Sequence, residues 1–211
     1  MKYVFNTFSN LLPKEIEQSN MFGDKDNSRV SFYFPTNEEI RKILKIADHV
    51  SKRKKPLILD IGCGNGFVAY ILAKTNKVKV IGIDPNKEQI EESKKIYKSK
   101  NLKLEAGDNK YAVKKYKNSK IDIIINSWMP VNHNFSPAIK KIKPKAIIYV
   151  RYKDNNTMTG KQSSFFKFFN SYNTGANYRT IMVWNNNVTQ NNKNSIVEVQ
   201  FRRNIRLPNF S

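Results

Sequence analysis

One cysteine and two histidines are all the thiol and imidazole ligands that the 211 residues offer. A lone Cys63 excludes any internal disulfide. His49 and His133 stand far apart, with no second thiol to join them, which argues against a zinc site, so no metal is expected. No apolar run comes near the ~20 residues that a membrane helix requires, and no membrane contact is expected. The first ten residues are broken by Asn6, Thr7, Ser9 and Asn10. They hold neither a continuous signal-peptide core nor a small-residue cleavage site, so a cytoplasmic protein is the expectation.

Arginine is scarce too, 8 against 30 lysines. The formal charge is nevertheless +21, a balance that often marks a partner such as RNA or DNA. Two features temper that reading. The 27 Asn and 22 Ile that accompany the lysines share AT-rich codons with them, so genome composition is a competing explanation of the charge that needs no selection for binding. Lysine also lacks the planar fork with which arginine grips phosphate. A hydrophobic fraction of 39% and an aromatic fraction of 12% suit a globular domain with a sizeable core.

The most informative stretch is Leu57-Ile58-Leu59-Asp60-Ile61-Gly62-Cys63-Gly64-Asn65-Gly66-Phe67. It reads as a buried strand, an acid and a glycine-rich turn opening a helix. Glycine suits a turn that a bulky ligand must approach closely, because it has no Cβ to obstruct the approach. A second acid, Asp84, closes the next apolar run, Val78–Ile83, 22 positions after Gly62, where a ribose-binding carboxylate belongs in a βαβ nucleoside site. A third strand, Leu102–Ala106, is followed by Gly107 and Asp108. Cys63 reads as a small residue fitting the tight turn rather than as a nucleophile, since neither histidine is near it in sequence.

The spacing Gly62-x-Gly64-x-Gly66 departs from the dinucleotide pattern G-x-G-x-x-G. With Asp60 two residues ahead, it resembles the first motif of the class I S-adenosylmethionine-dependent methyltransferases. The resemblance spans roughly residues 35 to 203, with sharp motifs only in the first half. It implies S-adenosyl-L-methionine as cofactor, its methionine end held by Asp60 and Gly62 within the turn Gly62, Cys63, Gly64 and Gly66. It further implies that Asp84, followed by Pro85, bonds the ribose hydroxyls, and that Asp108, with Asn109 beside it, bonds the adenine amino group. A dinucleotide's pyrophosphate gains from a helix N-terminus. This donor's ammonium gains instead from an acid.

The rest of the chain fits an α/β, Rossmann-like three-layer sandwich. Thr36-Asn37-Glu38-Glu39 is a capping box, and Ile40, Ile43, Leu44, Ala47 and Val50 follow at helical spacing. Lys52-Arg53-Lys54-Lys55 is expected to end that helix against its negative pole. Helices are expected over 67–75 and over 87–98, the latter anchored by Ile90 and Ile96. Strands follow at 121–126 and 146–150. Segments 178–184 and 195–201, separated by an Asn-dominated loop, predict a C-terminal antiparallel hairpin on a mostly parallel seven-stranded sheet. Residues 1–34 read as an N-terminal extension that covers the pocket, and 35–211 as the cofactor-binding domain.

Ligands of an open α/β sheet bind beyond the carboxyl ends of its strands, so the end of the fourth strand faces the transferred group. Asn126-Ser127-Trp128-Met129-Pro130-Val131-Asn132-His133 lies there. Enzymes that methylate base amines carry Asp/Asn/Ser-Pro-Pro-aromatic at that place, and this chain has an Asn, an aromatic and a proline in a different order. The run Asn126-Ser127-Trp128-Met129-Pro130, together with Phe32-Tyr33-Phe34-Pro35-Thr36-Asn37-Glu38-Glu39, resembles a little-characterised methyltransferase subgroup. Trp128 is the candidate for stacking on a planar target, Asn126 for orienting it and contacting the donor, and His133 for general base. Three acceptor readings stay open: RNA or another polyanion, slightly favoured; a small molecule or protein side chain; and no acceptor at all, in a catalytically silent S-adenosylmethionine-binding subunit.

Overall fold

The computed structural model describes residues 35–127, 135–152, 178–186 and 195–206. Its strands are β1 (Leu57–Ile61), β2 (Lys79–Asp84), β3 (Leu102–Ala106), β4 (Ile123–Ser127), β5 (Ala146–Tyr152), β6 (Tyr178–Asn186) and β7 (Ser195–Arg202). Its helices are α1 (Asn37–Val50), α2 (Phe67–Lys74), α3 (Lys87–Ile96), α4 (Asn109–Tyr116) and α5 (Ser136–Ile142). The seven strands form one sheet in the order β3-β2-β1-β4-β5-β7-β6. The pairs among β1 to β5 are parallel, and β7 runs antiparallel to both β5 and β6.

Strand alternation divides the core in two. Ile58, Val80, Ile123, Ile125, Ile148 and Val199 pack under α1, α2 and α3 on one face. Leu59, Ile81, Ile124, Ile147 and Tyr149 pack under α4 and α5 on the other. The result is three layers, each face burying a separate apolar cluster. Ile123, Ile124 and Ile125 are each 0% exposed, as expected of a central parallel strand covered on both sides.

Local chemistry explains most boundaries. Thr36 Oγ1 accepts the Glu39 N–H at 3.1 Å, and Glu39 Oε2 accepts the Thr36 N–H at 2.7 Å, so the capping box forms. The basic cluster does not close α1 as expected. The helix stops at Val50 with Ser51 as its cap, and residues 52–55 lie beyond the last turn. There Arg53 faces Asp122 at 3.8 Å, and Lys55 donates to Asn101 at 3.0 Å. Helix α3 ends at Ile96, and Ile96 is not an anchor, being 37% exposed. Its buried stripe is Ile90, Ser93 and then Tyr97 just past the helix, which follows from a period of ~3.6 residues. Tyr97 stacks on Tyr70 of α2 at 4.7 Å. The fourth strand begins at Ile123, two residues later than expected, because the Asp122 side chain is taken up by the foot of β1.

At that foot, Asp122 is 0% exposed and well partnered. Its carboxylate accepts the Leu57 N–H at 2.9 Å and Lys145 Nζ at 2.8 Å. No helix among the described residues is long and apolar enough to cross a membrane.

Candidate functional site

The glycine turn joins β1 to α2 at the carboxyl edge of the sheet. Gly62, Gly64 and Gly66 have φ values of 78°, 55° and 73°, in the left-handed region that only glycine enters at little cost. The turn is fastened to β2: the Gly62 and Cys63 N–H groups donate to the Ile83 carbonyl at 2.8 and 3.1 Å. The Gly64 N–H donates to Asp84 Oδ2 and the Asn86 N–H to Asp84 Oδ1, both at 2.9 Å. Both Asp84 oxygens are therefore aimed, and each keeps a lone pair for a further donor such as a hydroxyl. Burial raises the Asp84 carboxyl above its ordinary value, opposed by those two N–H donors.

Packing fixes the turn from behind. A Cβ on Gly66 would lie 2.9 Å from Leu104 Cδ2. A Cβ on Gly82 would lie 2.8 Å from the same atom and 2.9 Å from Cys63 Sγ. A Cβ on Gly62 would make ordinary van der Waals contact with Phe135 and Asn126, at 3.8 and 3.9 Å, without a clash. Cys63 is buried, and burial pushes its thiol up, with Asp60 and Asp84 adding to the effect; it stays protonated and fills space.

Asp60 is the group that packing alone does not explain. It is 1% exposed, and neither carboxylate oxygen has a hydrogen-bond partner among the described residues. Burial, with Asp84 as a second cause, pushes its carboxyl up to about 7. An unpaired buried carboxylate costs several kcal/mol at the least, and such groups gather at functional sites. Asn126 repeats the pattern at the end of β4. It is 1% exposed, its Nδ2 donates to the Ile61 carbonyl at 2.7 Å, and its Oδ1 accepts from nothing among the described residues. A ligand with a cationic donor group would satisfy Asp60, and one N–H or O–H would satisfy Asn126. The ammonium, adenine amino and ribose hydroxyl groups of S-adenosylmethionine are donors of the kind that demand calls for, and the glycines leave backbone room for it.

The third strand end is built differently. Asp108 is the N-cap of α4 and its Oδ1 accepts the Tyr111 N–H at 2.8 Å, leaving the second oxygen exposed. Glu105, which the sequence reading passed over, holds α4 in place. It accepts from Lys115 at 2.6 Å, Lys103 at 2.8 Å and Tyr116 at 2.6 Å. Burial alone would raise its carboxyl, but these donors outweigh it and hold it at about 2.

The structure thus gathers Asp60, Gly62, Cys63, Gly64, Gly66, Asp84 and Asn126 at one edge of the sheet, with the exposed Pro85 following Asp84. Asp108 and Asn109 stand one strand further out, at the start of α4. Trp128 and His133 lie outside the described residues, as do residues 1–34, Thr157–Gly160 and the phenylalanines at 165–169. Phe135 and Leu104 were not foreseen. Their roles come from contacts with glycines far away in sequence, and no local motif announces them. Among the described residues no group of three His, Cys, Asp or Glu is placed to hold a metal ion.

With this geometry in view, comparison with known proteins is direct. Residues 52–196 match the family of the methyltransferase domain, and the chain belongs to it. It is an S-adenosylmethionine-dependent methyltransferase of the class I type. No curated protein matches it by sequence. Among solved structures it resembles the precorrin 8w decarboxylase of Methanobacterium thermoautotrophicum, at 18% identity and a TM-score of 0.58, covering 86% of this chain and 97% of the other. It also resembles an rRNA methylase of Streptococcus thermophilus, at 13% identity and a TM-score of 0.55, covering 81% and 98%. A third is the methyltransferase domain of bacterial CtHen1, at 15% identity and a TM-score of 0.53, covering 77% and 95%. The named activities differ while the fold is shared, so the fold does not choose an acceptor.

Proposed function

We propose that the chain binds S-adenosyl-L-methionine at the carboxyl edge of β1, β2 and β3 and transfers its methyl group by direct displacement, with RNA or another polyanion as the favoured acceptor class. The observation that carries this reading is the buried Asp60 carboxylate without a partner, set beside three left-handed glycines. In this reading Asp60 and the Gly62–Gly66 turn hold the methionine end, Asp84 takes the ribose hydroxyls, and Asp108 with Asn109 meets the adenine. Asn126, through its free Oδ1, orients the incoming donor group. Trp128 and His133 complete the proposal as stacking and proton-accepting groups at the end of β4. The bound sulfonium supplies an already activated methyl group, so the residues of this chain act by placement and by excluding water. Residues 35–211 form the catalytic domain in this reading, with 1–34 as its cover.

Calorimetric titration with S-adenosylmethionine and with NAD is the first test. Binding of the former alone, followed by radiolabel transfer from the methyl-labelled donor into an RNA fraction, is the expected result. Binding of NAD, or of neither compound, defeats the cofactor assignment. Label entering only protein or metabolites moves the acceptor to the small-molecule or protein class.

A further inference from the structure

The lysines are spread along the whole chain, but the carboxylates that offset them are not. Between Asn37 and Asn101, which supplies α1, α2, α3 and the first two strands, 8 Asp and Glu accompany 15 Lys and Arg. Between Asn109 and Lys145, which supplies α4, β4 and α5, the only acid is Asp122 against 9 lysines. Asp122 is fully buried and already bonded to Lys145. Codon composition alone does not account for this asymmetry: five of those eight acids, Glu38, Asp48, Glu88, Glu91 and Glu92, are exposed on α1 and α3, whereas the acids nearest α4 are Glu105, tied to Lys115, and the N-cap Asp108.

The geometry of that face is specific. A groove of about 330 Å³ runs between α4 and α5, lined by Asn109, Lys110, Val113, Lys114, Lys117, Pro137, Ala138 and Lys141. Lys110, Lys114 and Lys117 recur at helical spacing, so they form one stripe about 10 Å long. None of the four lysines makes an ion pair among the described residues. The floor is Val113, Pro137 and Ala138, too small and too few to seat the apolar anchors of an amphipathic helix. One end of the groove is Asn109, next to the N-cap of α4 and thus at the cofactor edge of the sheet.

We propose that the groove between α4 and α5 is the track that holds the phosphate backbone of a single-stranded RNA substrate and leads it to the methyl-transfer edge. Lysine ammoniums are point charges that follow a backbone without reading bases, so the groove gives affinity and direction, not sequence choice. The inference rests on the reading of the chain as a polynucleotide methyltransferase and names how that substrate is held.

The test compares two variants of the full chain. One replaces the groove cations (K110Q, K114Q, K117Q, K141Q). The other replaces four lysines of the opposite side (K87Q, K95Q, K98Q, K100Q). All are surface changes, and S-adenosylmethionine titration and thermal melting check that both variants keep fold and cofactor site. Binding of a fluorescent single-stranded oligoribonucleotide is followed by anisotropy over a salt series, a readout that needs no methyl donor. The groove variant should lose tenfold or more in affinity, and its log–log salt slope should fall by roughly 3, given about 0.7 per phosphate contact on single strands. The control should lose less than about threefold. Equal losses in both variants would make the attraction diffuse and overturn the groove. Absence of RNA binding in a protein that binds S-adenosylmethionine would also overturn it while leaving the cofactor reading intact. Tighter binding of a polyglutamate peptide than of the RNA would reassign the face to an acidic protein partner. Equal binding of a deoxyribose oligonucleotide would keep the track and remove the preference for RNA.

Discussion

Two buried aspartates sit at opposite edges of the same sheet, and they are treated in opposite ways. Asp122, at the foot, is 0% exposed and accepts from a backbone N–H and a lysine, with Arg53 nearby. Asp60, at the crown, is 1% exposed and accepts from nothing among the described residues. A fold that can furnish one interior carboxylate with donors can furnish another. The contrast therefore marks Asp60 as a group held ready for something that arrives from outside, whereas Asp122 belongs to the architecture.

The sharpest test of that contrast is D122A. It removes the acceptor for the Leu57 N–H and the counter-charge for Lys145, and should cost about 3 kcal/mol in urea denaturation. A loss below about 1 kcal/mol would show that the foot is no more structural than the crown. D60N should do the reverse. Its S-adenosylmethionine affinity should fall tenfold to a hundredfold by calorimetry, the worth of a charge-assisted contact. The ligand-free protein should gain roughly 1–3 kcal/mol at about pH 8, where an ionised carboxyl no longer has to be kept dry.

The sign of the pH dependence follows from the same group. The Asp60 carboxyl is raised from 3.8 to about 7 in the folded protein, so the folded state holds its proton more tightly than the unfolded chain. Its contribution is full below the unfolded value and is lost as pH rises toward 7. Melting temperature of the ligand-free protein should therefore drop between about pH 5 and about pH 8. Saturating S-adenosylmethionine should cancel that drop, and D60N should not show it. A flat profile in the native sequence would mean that Asp60 has a partner after all. Smaller still is the effect of G62A. A Cβ there would meet no clash but its φ is 78°, so about 1 kcal/mol of backbone strain and a few-fold weaker cofactor binding are expected.

How much of this was legible beforehand follows the range of the forces involved. The strands, the glycine turn, the capping box and the placement of Asp60 and Asp84 are dictated by residues close in sequence, and all could be read there. Ile96 was misjudged because an apolar residue one step off the helical stripe looks the same in sequence as one on it. The cluster at 52–55 was given to the α1 pole, yet Arg53 and Lys55 turn to Asp122 and Asn101, partners 69 and 46 residues away. Helix α4 carries only Ala112 and Tyr116 as fully buried residues, too sparse a pattern to register as a period. The missing carboxylates of the α4 and α5 face were visible as letters, but became a surface only once both helices were placed side by side.

Leu104 carries a consequence of its own. Its methyl groups wedge between β2 and the bend after β1, where added Cβ atoms on Gly66 and Gly82 would come within 2.9 and 2.8 Å of them. The side chain acts as a shim: its thickness sets the height of the loop that, in the proposed function, grips the donor. Shaving it to valine or alanine would let the bend sag, so appetite for the donor can be retuned from a buried position, without altering one atom that touches it.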